Sequence, residues 1–187
     1  MTEPPSRTSG FEHPLELWEA CHERVRRMNE LLVRLVGHIR EHGIDEQARV
    51  TAQSIRRYFT EASPLHHMDE ERDLFPCLLA HTAARPPSIA AERVAGAIAT
   101  LEAEHQEIRQ MWMELAPMLQ DVEQGDASRL DDALVAAFVS RYRAHLALEE
   151  EVIGPALKRQ LSQKDLARIG IAMAGRRGLT PRDLEHR

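Results

Sequence analysis

The chain has 187 residues, with 24 Lys and Arg against 30 Asp and Glu and a formal net charge of -6 at pH 7, long enough for one sizeable core and with nothing that demands a second domain. The basic residues are scattered among acids instead of forming a stripe, which argues against a nucleic-acid partner. The first ten residues lack the apolar core of a secretion signal and no stretch approaches about 18 uninterrupted apolar residues, so the expectation is a soluble, cytoplasmic protein without a membrane partner. Two cysteines, Cys21 and Cys77, stand outside any Cys-x-x-Cys motif and read as reduced packing residues.

Residues 1–13 are expected to be a flexible N-terminal segment. From about Leu15 to His42 the apolar residues Leu17, Cys21, Val25, Met28, Leu32, Leu35 and Ile39 recur at three- and four-residue steps, the period of a helix, and Gly43 stops it. Asp45 caps a second helix that runs through Ile55, Phe59 and Leu74 to about Ala80, before Pro86 and Pro87. Ser88 caps a third, carrying Val94, Ile98, Leu101, Ile108 and Leu115; Pro117 is expected to kink or shorten it, and Gly125 marks its exit. Ser128 with Asp131 resembles a capping box opening a fourth helix to about Leu161, and Ser162 with Asp165 repeats that signature before a short fifth helix. Thr180-Pro181-Arg182-Asp183 suggests a last turn. With no convincing strand, the fold class is all-α: an up-down-up-down antiparallel four-helix bundle over residues 14–161, joined by short turns, with a short C-terminal helix and tail over 162–187.

Two segments of this chain are almost copies, His66-His67-Met68-Asp69-Glu70-Glu71 through Pro76 and His145-Leu146-Ala147-Leu148-Glu149-Glu150 through Pro155. Each sets a His four residues before a Glu, which stacks the two side chains one helical turn apart on one face. His22 and His105 form a second repeated pair on the first and third helices. His22 and His66 are equidistant from position 44, His66 and His105 from the boundary of Arg85 and Pro86, and His105 and His145 from Gly125. Every one of these centres is a predicted turn, so four histidines lie at one level of an antiparallel bundle, with Glu70 and Glu149 about 5 to 6 Å along the axis. Any one of them could be an ordinary buried histidine. Together, four imidazoles and two carboxylates in one core layer need partners, since unpaired burial of charge is costly. Metal ions supply them, and neutral nitrogens with two carboxylates suit a pair of iron or manganese ions better than four-coordinate zinc.

The motif of His, three residues, Glu-Glu, two residues, an apolar pair and Pro resembles that of the hemerythrin-like, or HHE cation-binding, domains. The resemblance spans about Leu15 to Leu161, and the stretch from Leu161 to Gly178 resembles the short extra helix of some bacterial members. It implies a left-handed four-helix bundle with an oxo- or hydroxo-bridged diiron centre. In this chain His22 and His105 would be the lone ligands of the first and third helices. His66 and His145 would be terminal ligands of the second and fourth, and Glu70 and Glu149 would bridge two irons. The sequence departs from oxygen-carrying members at Arg109, where they have a second histidine one turn after the third-helix ligand. Some members fill that gap with the residue after the second-helix histidine, here His67. His67 is rotated about 100° from His66, and two readings stay open: it reaches the second ion, or it faces outward.

A ferritin-like diiron reading competes, because Glu19 with His22 and Glu102 with His105 have Glu-x-x-His spacing. Those motifs fall on the first and third helices and every connection is short, which favours the hemerythrin-like reading and leaves Glu19 and Glu102 as solvated acids. Glu71, Glu150 and Glu151 read as supporting or solvated charges. His38 and His42 face away from the site, and His13, His81 and His186 carry no visible constellation. Tyr58 and Tyr142 stand two turns and one turn before ligand histidines, while Trp18 and Trp112 read as core. The expected cofactor is two iron ions, with manganese or zinc as alternatives, and the expected partner is a small diatomic molecule or peroxide. The function is binding or sensing of oxygen, nitric oxide or peroxide, or iron handling; the alternative is a diiron redox enzyme consuming peroxide or nitric oxide, or a ferritin-like oxidase.

Overall fold

The computed structural model describes residues 10–126 and 130–180. Among the described residues the chain forms five helices and no strand. Helix α1 is Pro14–His42 and stops at Gly43, whose φ of 76° lies where a side chain is disfavoured. Helix α2 spans 46–83, from the Asp45 cap, whose carboxylate accepts from the Ala48 N–H, to a few residues before Pro86. Helix α3 is Ile89–Gln124, capped by the Ser88 hydroxyl at Ala91 N–H and closed by left-handed Gly125. Helix α4 spans 132–160, and α5 is Gln163–Arg176, opened by the Ser162 and Asp165 capping box. No helix among the described residues is long and apolar enough to cross a membrane.

Two expectations change in detail. Pro117 does not shorten α3, which runs on to Gln124; the missing N–H costs one hydrogen bond in a helix held by packing at Leu115, Leu119 and Val122. The cap of α4 is Asp131 itself, which accepts from the N–H groups of Ala133 and Leu134; Ser128 lies outside the described residues, as do residues 1–9 and Pro181 to Asp183. Phe11 is buried, and a Cβ on Gly170 would collide with its carbonyl oxygen, so glycine lets α5 close on this backbone.

Helices α2 and α4 are interrupted by wide turns at Tyr58–Ala62, Glu70–Leu74 and Glu149–Ile153. In each, an N–H bonds five residues back: Ser63 to Tyr58, Phe75 to Glu70 and Gly154 to Glu149. A proline follows directly every time, at Pro64, Pro76 and Pro155. Proline lacks an N–H and its ring collides with the carbonyl four residues back in a regular helix, and widening the turn relieves both. Two of the three wide turns begin at Glu70 and Glu149.

Helix α1 packs on α2 and α4, α3 packs on the same two, and α5 lies on α1 and α2. The interior holds two apolar clusters. One gathers Val25, Leu32, Phe59, Ile108 and Phe138. The other gathers Trp18, Leu74, Leu101, Ile153 and Met173. Helices α1 and α3 run from the second cluster to the first, whereas α2 and α4 run from the first to the second. Each helix crosses between them at a histidine.

Candidate metal centre

That crossing layer contains His22, His66, His67, Glu70, His105, His145 and Glu149, every one of them at most 3% exposed. The seven candidates drawn from the sequence lie together, six of them as two overlapping sets. His22, His66, Glu70 and Glu149 present ligand atoms within 4.8 Å of one another, and so do Glu70, His105, His145 and Glu149. The carboxylates are common to both, with one oxygen turned to each set. Glu70 faces His66 Nε2 through Oε1 and His105 Nε2 through Oε2, while Glu149 faces His22 Nε2 through Oε2 and His145 Nε2 through Oε1, all at 3.3 Å. His67 does not face outward: its ring stacks on His105 at 4.0 Å between centroids and groups with His105 and His145.

The outer nitrogens decide what the inner ones are. His22 Nδ1 lies 3.1 Å from Glu150 Oε1, His105 Nδ1 2.8 Å from Glu71 Oε1, and His145 Nδ1 3.0 Å from Glu104 Oε2. A carboxylate only accepts, so each Nδ1–H donates outward, and a ring that is neutral keeps its Nε2 lone pair for the interior. His105 Nε2 and His145 Nε2 meet at 3.1 Å, so a proton or a metal cation must lie between their lone pairs. His22 Nε2, both His66 nitrogens, Glu70 Oε2 and both Glu149 oxygens have no hydrogen-bond partner among the described residues. Buried acceptors facing acceptors are repulsive unless a cation sits among them, whether a proton or a metal. The donor set, imidazole nitrogens with carboxylates, fits a transition-metal cation.

Each outward carboxylate is in turn held by an arginine. Arg26 binds Glu150 at 2.5 Å, Arg109 binds Glu71 at 3.2 Å and Arg141 binds Glu104 at 3.1 Å. Arg109 thus stands beside the site as the partner of a His105-bound glutamate. On the other side Trp18 Nε1–H donates to Glu70 Oε1 at 2.6 Å. Buried Asp69, next to Glu70, receives Arg176 and Arg177 of the α5 end at 2.7 Å each, and Arg176 also binds Asp73. The fifth helix thereby pins the α2 segment that carries Glu70.

Burial, seconded by the nearby Glu149 carboxylate, pushes the Glu70 carboxyl up to about 7. Burial drives His66 and His67 well below the ordinary histidine range, and lowers His22. Burial works the same way on His145, but Glu149 and the hydrogen bond to Glu104 outweigh it and raise that ring to about 10. Both upward shifts favour the protonated forms of Glu70 and His145, with which an incoming cation would compete.

Sequence reasoning missed Glu104, Arg26 and Arg141, whose roles come from other helices and leave no periodic trace. It undervalued Trp18, a core residue that also hydrogen-bonds the site. His81 does have a constellation, bonding Asp165 at 3.0 Å near Cys77, and His38 is half-buried on Asp45 at 2.9 Å. Glu19 is exposed and pairs with Lys158, Glu102 is exposed, and Glu151 pairs with Arg93. Tyr142 OH bonds Ser63 at 2.6 Å and lies 3.5 Å from His67 Nε2, whereas Tyr58 OH donates to the Cys21 carbonyl. Both cysteines are free.

An all-helical fold wrapped round a layer of shared histidines and glutamates defines a cation-binding helical protein. Residues 13–157 match the family model of the hemerythrin HHE cation-binding domain, and the chain belongs to that family. It is also similar to an uncharacterized protein of Haemophilus influenzae, 30% identical over 173 residues, which covers 92% of this chain and 95% of the other.

Proposed function

We propose that this protein is a cytoplasmic, non-haem diiron member of the hemerythrin HHE family that binds or senses oxygen, nitric oxide or peroxide. Residues 14–161 form the working domain as an up-down-up-down bundle, a course supported by the alternating order in which successive helices meet the two apolar clusters. The observation that carries the metal reading is that His22 Nε2, both His66 nitrogens, Glu70 Oε2 and both Glu149 oxygens are buried without a hydrogen-bond partner among the described residues, inside two overlapping His and Glu clusters. His22 and His66 would hold one iron and His105, His145 and His67 the other, with Glu70 and Glu149 shared. Manganese or zinc would suit the same donors less specifically.

When bound, an iron pair supplies one-electron redox changes and coordination positions open to a small ligand. The chain's own residues do the rest. Glu71, Glu104 and Glu150 fix the tautomer and direction of three imidazoles, which is how outer partners set ligand basicity. Trp18 orients Glu70, and the apolar clusters above and below exclude bulk water, strengthening every polar contact in the layer.

Metal content per chain, measured by mass spectrometry on protein purified without chelator together with near-ultraviolet and visible absorbance, tests this. The expected result is about two irons per chain with ferric absorption. No metal after anaerobic ferrous reconstitution would overturn it. Reversible spectral change with oxygen or nitric oxide supports binding or sensing, whereas sustained consumption of peroxide or nitric oxide would replace that function with a redox enzyme.

A further inference from the structure

Away from the histidine layer, the last two turns of α2 meet the first turn of α5. Cys77 and His81 stand four residues apart on α2, which puts thiol and imidazole one turn apart on one face. Asp165 of α5 comes to that face, and its Oδ2 lies 3.0 Å from His81 Nε2. One sulfur, one nitrogen and one carboxylate oxygen thus stand within 4.8 Å of one another. An ion bonded tetrahedrally at about 2.0 to 2.3 Å sets its ligand atoms about 3.3 to 3.8 Å apart, so small side-chain rotations close the three on a single ion.

Chemistry selects among the roles such a trio could play. A cysteine nucleophile needs an accessible thiolate in electropositive surroundings. Cys77 is 7% exposed, and burial, followed by the Asp165 charge, pushes its thiol up, so the free protein keeps it protonated. Thiolate, imidazole and carboxylate are instead the donors that zinc takes, and its charge makes up for the proton the thiol releases to solvent. Entry is open on the other two sides, where the His81 and Asp165 side chains are 35% and 21% exposed. Arg168, exposed on the next turn of α5, lies close enough to act on the same thiol and can swing into water.

We propose that Cys77, His81 and Asp165 form a separate metal site, which takes one zinc ion through a thiolate, an imidazole nitrogen and a carboxylate oxygen, with water in the fourth position. The ion ties the end of α2 to the start of α5, the helix whose far end carries Arg176 and Arg177 to Asp69. The site has no residue in common with the histidine layer and stands whether or not that layer binds iron. With two of its three ligands reaching solvent, its ion exchanges with the medium and is read with added metal.

Titration of the purified full chain with Co2+, a spectroscopic substitute for Zn2+, tests the assignment, because thiolate-to-cobalt charge-transfer absorption requires a sulfur ligand and the histidine layer supplies none. A saturable band is expected, and Zn2+ should bleach it by taking the site. Cys77→Ser should abolish the band, and Cys21→Ser should keep it. His81→Ala and Asp165→Asn should each weaken cobalt binding about tenfold or more, a loss of about 1.4 kcal/mol or more. Arg168→Gln should tighten it by removing a neighbouring cation. No band, a band kept by Cys77→Ser or lost in Cys21→Ser, or undiminished affinity in His81→Ala would each overturn the proposal.

Discussion

The His22 and His66 side of the buried layer and the His105 and His145 side draw on the same two carboxylates, yet they are not equivalent. The first offers two imidazoles, of which His22 alone is backed by a glutamate, while His66 Nδ1 has no partner among the described residues. The second offers two imidazoles both anchored through glutamate to arginine, with the His67 ring stacked beside them. Two nearly identical sequence segments thus build unequal donor sets. The difference arises because what braces each histidine is supplied by a different neighbouring helix: Glu71 and Glu150 occupy the same place in the two copies but serve His105 and His22, while Glu104, directly before His105, serves His145 and no counterpart serves His66 among the described residues.

The largest test of this comparison is Glu70→Ala, which removes an oxygen from both sides at once. Metal content should fall to near zero, and loss confined to one ion would break the picture of shared carboxylates. His66→Ala takes one of two imidazoles from the poorer side and should cost one ion per chain. His67→Ala takes one of three from the richer side and should weaken that ion while leaving it countable; the reverse order of severity would invert the comparison. Metal content of the three variants decides both points.

A milder change sharpens the role of the bracing groups. Glu104→Gln should lower metal affinity by about 10- to 100-fold, the usual effect of losing a partner of a metal-bound histidine, as read by competition with a chelator. The pH dependence follows from Glu70 and His145. Their folded pKa values of about 7 and about 10 lie above their ordinary ones, so the metal-free fold holds these protons more tightly than an unfolded chain does. A cation must displace them, and apparent affinity should therefore rise with pH through about 7, with protons released on loading. An affinity that falls over that interval would contradict the placement of those protons.

The smallest expected effect lies away from both donor sets. Ser162→Ala removes the α5 cap and should cost about 1 kcal/mol of stability in chemical denaturation, with metal content unchanged. The Ser162 hydroxyl and N–H hold Asp165 well below the ordinary carboxylate range. Its contribution is accordingly present above the ordinary aspartate value and lost as pH falls toward the depressed one. Protection of α5 amides from exchange should decline first in acid.

Much of this molecule was legible in the chain as written. Hydrophobic period, Asp45, Ser88, Ser162 and the terminating glycines located five helices within a few residues, because caps and period are local physics. Turn symmetry placed the histidines at one level, since an antiparallel hairpin relates sequence distance to height. The wide turns were not read from the sequence: a proline follows each of them, yet Pro117 sits inside α3 without one. Beyond that, sequence by itself determined which residue types could meet in the layer: four histidines, two glutamates and the undecided His67. Only the tertiary structure decided that His67 turns inward onto His105, that Glu104 reaches across from α3 to His145, that Arg109 serves Glu71, and that Asp165 of α5 meets Cys77 and His81 of α2. Those outcomes depend on the relative rotation of whole helices, which is set by packing summed over two apolar clusters and is carried by no single motif.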